Sequence, residues 1–327
     1  MKKLMNDVDN MLTESLDGFA AAHADIISLG AGRKFVQRRH GKSRKVALVS
    51  GGGSGHEPLH IGFVGHGMLD AACPGQVFTS PSPDQIIAAS DAVDTGAGIL
   101  YVVKNYEGDT MNFAMAREMG HHDSETVVTD DDVALNKSLR TTGRRGVAGT
   151  VVVTKILGAA AEMGMKLKDL KALGERVNEV TRSMGVALSS CTVPAAGKPT
   201  FELGPDEMEM GVGIHGEAGR QRLKLKTADE IAGDLVCAIA GDLASRDEAL
   251  LVVNGFGATP VMELYVMFNS ARTQLARHGI KVSRALVGNY VTSLDMAGCS
   301  ITVTSLDKEL AGHWDAAVHT SALRWGM

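Results

Sequence analysis

Short apolar runs that stop at glycine or polar clusters alternate with stretches of helical period along almost the whole chain. Lys45–Ser50, Gly98–Lys104 and Glu125–Thr129 read as strands, rich in β-branched and aliphatic residues. Between them, Ser82 offers an N-cap, Pro83 a first helical position and Asp84 a first-turn acid, ahead of Ile86, Ile87 and Val93. Thr110–Met119 is a second helical pattern. Further on, helices are predicted at about 147–163 and 167–184, followed by a strand from Gly185 that Pro194 closes. Strands at Ala249–Asn254, Lys281–Gly288 and Cys299–Thr304 alternate with helices near 227–244, 260–277 and 306–316. The alternation predicts α/β layers around largely parallel sheets. The pattern resets near residue 184, and 327 residues suit two domains, 1–184 and 185–327.

Composition and charge narrow the possible functions. Hydrophobic residues make up 44% and charged residues 22%, which excludes a disordered chain. The 38 glycines are about 12% of the chain against a usual value of roughly 7%, and they point to tight loops where backbone approaches backbone or ligand. Lys and Arg number 33 against 38 Asp and Glu, a net charge of −5 that argues against a nucleic-acid partner. The basic cluster from Arg33 to Lys45 reads as a local solvated surface. Cys73, Cys191, Cys237 and Cys299 are far apart and form no C-x-x-C pair, so neither structural zinc nor a disulfide framework is expected. The N-terminus lacks a signal-peptide pattern, and no apolar run reaches membrane-spanning length. These features predict a soluble, cytoplasmic protein.

The candidate chemistry sits in three glycine-rich or strand-end segments. Gly51-Gly52-Gly53-Ser54-Gly55-His56 follows a buried-type strand and reads as a loop exposing backbone N–H groups at the strand's carboxyl end, where open α/β sheets bind ligands. No lysine completes a Walker A loop, and His56 is placed to serve as a general base. Lys104 and Asp109 leave the second strand at the equivalent end, where they can reach a ligand; alternatively Asp109 caps the helix starting at Thr110. Gly211–Gly216 fits G-x-G-x-x-G, but no clean strand precedes it and Arg220-Gln221-Arg222 stands where a helix should open. The dinucleotide reading fails, leaving His215 among glycines as a reachable ring. Three weaker signals have ordinary alternatives. Asp130-Asp131-Asp132 can hold Mg²⁺ or simply start a helix, and His121-His122-Asp123 lacks a matching partner in the sequence. Gly143-Arg144-Arg145-Gly146 reads equally as a phosphate site and as a surface turn.

Together these segments resemble the K subunit of dihydroxyacetone kinase. The similar pieces are GGGSGHEP (51–58), ACPGQVFTSPSPDQI (72–86), KNYEGD (104–109), GRRGVAGT (143–150), CTVPAAGKP (191–199), GVGIHGE (211–217), GNYVTSLDMAGCSIT (288–302) and WDAAVHT (314–320). They occur in family order over essentially the whole chain. The resemblance implies two α/β domains with mixed sheets, a homodimer, and dihydroxyacetone or a similar small ketose as ligand. By motif, it implies that His215 attacks the ketone carbon to form a hemiaminal. His56 matches the general base, and Asp109 the acid that binds and assists; Gly53, Ser54, Gly55 and Lys104 match the substrate lining.

No nucleotide signature is present, and the resemblance implies that ATP or ADP with Mg²⁺ resides on a separate L subunit. A phosphotransferase-type M subunit is a possible further partner, and the expectation is that no L domain follows Met327. No metal ligand is assigned to this chain. Two departures stand out: a region shortened between Gly219 and Asp247, and Ala218 where proline is frequent. Three other readings are a ketone-sensing regulatory paralogue, a kinase subunit for a four-carbon ketose such as erythrulose, and a lipid-binding protein of related fold. The last would lack His215.

Overall fold

Burial alternates with exposure along helices and is continuous along the central strands, and this separates two layered units. The computed structural model describes residues 2–39, 44–135, 143–217, 219–243 and 248–327. The expected boundary near 184 is corrected by the packing. One unit comprises Met1–Thr129, Thr150–Arg176 and Gly312–Met327; the other comprises Asp130–Gly149 and Val177–Ala311. Residue 184 lies inside the strand Thr181–Ala187, so the chain is not cut there. Three of its four crossings, at 149/150, 176/177 and 311/312, fall within the helices Gly149–Glu162, Leu167–Glu179 and Lys308–Asp315, where hydrophobic periodicity carries no boundary signal; the fourth, at 129/130, follows the strand Ser124–Thr129.

In the first unit a six-stranded sheet runs in the order Ile27–Leu29, Val36–Arg38, Ala71–Val77, Ala47–Ser54, Ile99–Lys104, Ser124–Thr129. The four strands from Ala71–Val77 to Ser124–Thr129 are parallel, and the first two are antiparallel additions. The central strands bury both faces, as parallel strands under helices must. Helix Pro83–Val93 begins as expected: Ser82 and Gln85 form a capping box and Pro83 lies in the first turn. Ile86, Ala89, Tyr101 and Phe113 join Val49, Ile99 and Val103 in the core. A small sheet of Gly65–His66, Val318–Thr320 and Arg324–Trp325 ties the C-terminal segment to this unit.

The second unit carries its own mixed six-stranded sheet: Gln221–Lys224, Glu207–Met210, Thr181–Ala187, Gly298–Leu306, Glu248–Gly255, Lys281–Gly288. Only its last pair is parallel, so the expectation of largely parallel sheets fails in this unit. Helices Ala228–Asp242 and Val261–Arg277 bury Leu235, Ile239, Leu264 and Leu275 against Leu251, Val253 and Ile301.

Three local expectations also change. The strand expected from Gly185 to Pro194 runs from Thr181 to Ala187, so the preceding helix ends at Glu179 and Pro194 terminates nothing. The helix expected from Thr110 begins at Glu107, which places Asp109 within its first turn rather than at its cap. The expected glycine loop is strand through Ser54. Its glycines are needed for space: a Cβ on Gly51 would stand 2.6 Å from the Cys73 carbonyl oxygen, and one on Gly53 2.6 Å from the Thr79 nitrogen.

Candidate active site

In the first unit, the parallel strands end together and their carboxyl ends hold a buried polar network. Lys104 is the last residue of its strand and is fully buried. Its Nζ donates to Asp109 Oδ2 at 2.8 Å and lies 3.2 Å from His60 Nε2. Asp109, buried in the first turn of its helix, also accepts a short hydrogen bond from the Ser80 hydroxyl on Oδ1. His60 Nδ1 lies 3.0 Å from Ser50 Oγ, whose hydroxyl donates to the Val102 carbonyl at 2.6 Å. These contacts fix the proton positions. An ammonium only donates, so His60 Nε2 accepts from Lys104 and Nδ1 carries the hydrogen that Ser50 accepts. Burial holds the His60 ring well below its ordinary 6.5, with the charge of Lys104 adding to the effect, so it stays neutral at physiological pH.

The glycine strand brings backbone up to this network. A Cβ on Gly52 would overlap Lys104 Nζ and lie 2.9 Å from His60 Nε2, so a side chain there would displace the lysine head from this network. Ser54 Oγ donates to the Gly75 carbonyl at 2.7 Å. Gly55 turns with φ +101°, and its N–H donates to Glu57 Oε2 at 2.9 Å. This turn leads into His56, which is buried and stacks on Phe78 with centroids 5.0 Å apart and planes at 19°. A Cβ on Gly53 would meet the Phe78 backbone at 2.7 Å, so Phe78 links Gly53 to His56. Gly53, Ser54, Gly55, His56, Lys104 and Asp109 are therefore assembled at one sheet end. The sequence reading missed Ser50, His60 and Ser80. Its one available signal was a second histidine four residues after His56.

In the second unit, His215 is half-buried in a turn between Gly213 and Gly216. Its backbone N–H donates to Glu217 Oε2 at 2.8 Å, while Glu217 Oε1 accepts from Arg145 Nη1 at 3.0 Å. Arg145 further donates to Asp132 Oδ2 through Nε at 2.8 Å and to the Gly211 carbonyl through Nη2 at 2.8 Å. One guanidinium thus spans both ends of the turn and fixes the histidine's backbone. Burial pushes the Asp132 carboxyl up to about 6 against the pull of Arg145, so it remains ionised at neutral pH. Gly216 has φ +69°, and a Cβ there would lie 2.5 Å from Thr200 Oγ1 and 2.7 Å from Cys191 Sγ.

The remaining sequence signals resolve structurally. Arg144 and Arg145 are buried rather than a surface pair. Arg144 makes a forked ion pair with Asp242, which also accepts from Arg182, and this holds the Asp242 carboxyl well below its ordinary value. Asp131 accepts from the Val147 and Gly149 nitrogens at 2.9 and 2.8 Å and from Ser183 Oγ, a capping role in place of a Mg²⁺ ligand. His121 and His122, expected to lack partners, meet Asp91 and Asp94. Ala218, and positions 244–247 of the shortened region, lie outside the described residues. No described helix is long and apolar enough to cross a membrane.

The chain is 50% identical over 314 residues, 94% of its length and 95% of the relative's, to the dihydroxyacetone-binding subunit of PTS-dependent dihydroxyacetone kinase 1 from Listeria innocua. Its fold superposes on the dihydroxyacetone kinase of C. freundii with a TM-score of 0.91 and 32% identity, covering 99% of this chain and 60% of that one. It superposes on the dihydroxyacetone kinase operon co-activator Dha-DhaQ with a TM-score of 0.89 and 32% identity, covering 97% and 98%. The Dak1 domain model matches residues 17–322, and this chain belongs to the Dak1 domain family.

Proposed function

We propose that this chain is the ketose-binding catalytic subunit of a dihydroxyacetone kinase. In this reading a neutral His215 ring nitrogen adds to the ketone carbon. The carbonyl electrons pass to oxygen, which takes up a proton as the ring loses one, so the hemiaminal retains every atom of the ketose. Covalent capture holds the terminal hydroxyl in one place, and glycerol, which has no carbonyl, is rejected. His56 takes the proton from that hydroxyl as it attacks phosphorus. Asp109, held by Lys104 and Ser80, hydrogen-bonds the substrate, and Gly53, Ser54, Gly55 and Lys104 line it. A partner L subunit holds ATP or ADP with Mg²⁺ and passes on the γ-phosphoryl group of the ATP form; where the relay is used, a phosphotransferase M subunit upstream rephosphorylates the ADP. The working form is a homodimer in the cytoplasm.

The observation that carries the kinase reading is the buried Lys104–Asp109–Ser80 network beside the glycine strand. Capturing a ketone requires only His215, so a co-activator has no need of a buried, oriented acid. Fold alone does not separate the two, since a kinase and a co-activator superpose almost equally well. Intact-mass spectrometry with dihydroxyacetone should show an adduct equal to the whole ketose, absent in His215→Ala. His56→Ala and Asp109→Asn should keep the adduct and lose about 10²-fold or more in kcat with a competent L partner. An adduct that persists in His215→Ala would refute covalent capture, and full turnover by both other variants would favour the co-activator. Competition between dihydroxyacetone and erythrulose for the adduct ranks the two ketoses.

A further inference from the structure

A histidine pair at the other end of the first sheet has no part in that chemistry. Asp91 lies in the last turn of helix Pro83–Val93, and Asp94 follows it. His121 and His122 lie in the turn between helix Glu107–Met119 and strand Ser124–Thr129, at the amino end of a strand bordering the sheet. Lys104 sits at the carboxyl ends. Among the described residues, Asp91, His121 and His122 are the one group of three metal-ligating side chains whose donor atoms all lie within 4.8 Å of one another.

His122 Nε2 is 2.7 Å from Asp91 Oδ1, and His121 Nε2 is 3.9 Å from the same oxygen. The two rings are 4.3 Å apart, centre to centre. A tetrahedral ion with bonds of about 2.0–2.1 Å needs donors about 3.3 Å apart, a value the observed separations bracket. The His122 ring is 7% exposed, and its Nδ1 lies 3.1 Å from Asp94 Oδ2. Asp94 is itself fixed, its Oδ1 accepting from the Gly96 N–H at 2.9 Å. A carboxylate on Nδ1–H leaves Nε2 to carry the metal bond, the outer arrangement that ligating histidines commonly have. His121 is 80% exposed, so its ring can close on an ion without repacking the fold.

We propose that Asp91, His121 and His122 form a site for a divalent first-row transition ion such as Zn²⁺, with Asp94 orienting His122 and water completing the coordination. Two imidazoles and one carboxylate suit such an ion, whereas Mg²⁺ and Ca²⁺ favour oxygen-only sets. On binding, the His122 Nε2 proton passes to solvent, and Asp91 exchanges that hydrogen bond for a metal bond; no redox change occurs. The ion ties the end of one helix to the turn that leads into the bordering strand, a clamp remote from the ketose site.

The test uses the tag-free, chelator-stripped full-length chain under reducing conditions. Titration calorimetry with ZnCl₂ should give one ion per chain with micromolar affinity, and MgCl₂ should give none. CoCl₂ should develop the visible absorption of four-coordinate Co²⁺. His121→Ala should weaken zinc at least about tenfold, and Asp94→Asn about 10- to 100-fold, with the ketose adduct unaffected. No binding up to about 100 μM zinc would overturn the site. So would an isotherm unchanged by both His121→Ala and Asp91→Asn, or one abolished by Cys237→Ser, whose exposed thiol is the alternative ligand.

Discussion

At His60, burial and the Lys104 ammonium act in the same direction, and both oppose a second proton on the ring. The unfolded chain takes up that proton near 6.5 while the folded chain does not. Below that pH the unfolded state therefore binds more protons, and stability falls as the solution is acidified, by up to about 1.4 kcal/mol per pH unit. His60→Asn removes the titration. The stability gap between parent and variant, read from urea midpoints, should narrow by about 1 kcal/mol between about pH 7 and about pH 5.5. A gap that does not change with pH would mean the ring is protonated in the fold. His56, Lys104 and Asp109 were legible from short motifs at strand ends. Ser50, His60 and Ser80 were not, because their contacts span 52, 44 and 29 residues of chain.

Among the elements, the glycine strand departs most from its sequence reading. Glycine clusters ordinarily interrupt strands, and here they let a central strand pass beside another backbone and a lysine head. Gly51→Ala would press a methyl against the Cys73 carbonyl and should cost about 1–3 kcal/mol. Gly18, inside helix Met11–Ala22, has nothing within 4 Å of its would-be Cβ, so Gly18→Ala should stabilise by about 0.5–1 kcal/mol. Chemical denaturation of the two variants should therefore shift in opposite directions. Equal shifts would mean that conformational freedom, rather than space, sets the cost at Gly51.

For the whole molecule, the C-terminal segment belongs to the first unit although it is distant in sequence. Val318–Thr320 pairs with Gly65–His66, the Ala322 N–H donates to the Gly62 carbonyl, and Lys155 Nζ donates to the His313 carbonyl at 2.9 Å. Trp314 and Val318 are buried there. A chain truncated after Ala311 should lose hydrogen-exchange protection at Gly65 and His66, because the strand that pairs with them is gone. Protection equal to that of the intact chain would show that the first unit folds without its last segment.

The sequence by itself determined the α/β class, most helices and strands to within a few residues, the glycine segments at His56 and His215, and the family. Each of these is written in local chemistry: periodicity, capping residues, and glycine where only hydrogen fits. Tertiary structure decided the interleaving of the two units and the mixed pairing of the second sheet. It also decided the burial of Arg144 and Arg145, and the meeting of Asp91 with His121 and His122. The physical reason is the same in every case. Strand order and ion-pair partners are chosen by free energies of burial summed over segments far apart in the chain, and no local window of residues contains those terms.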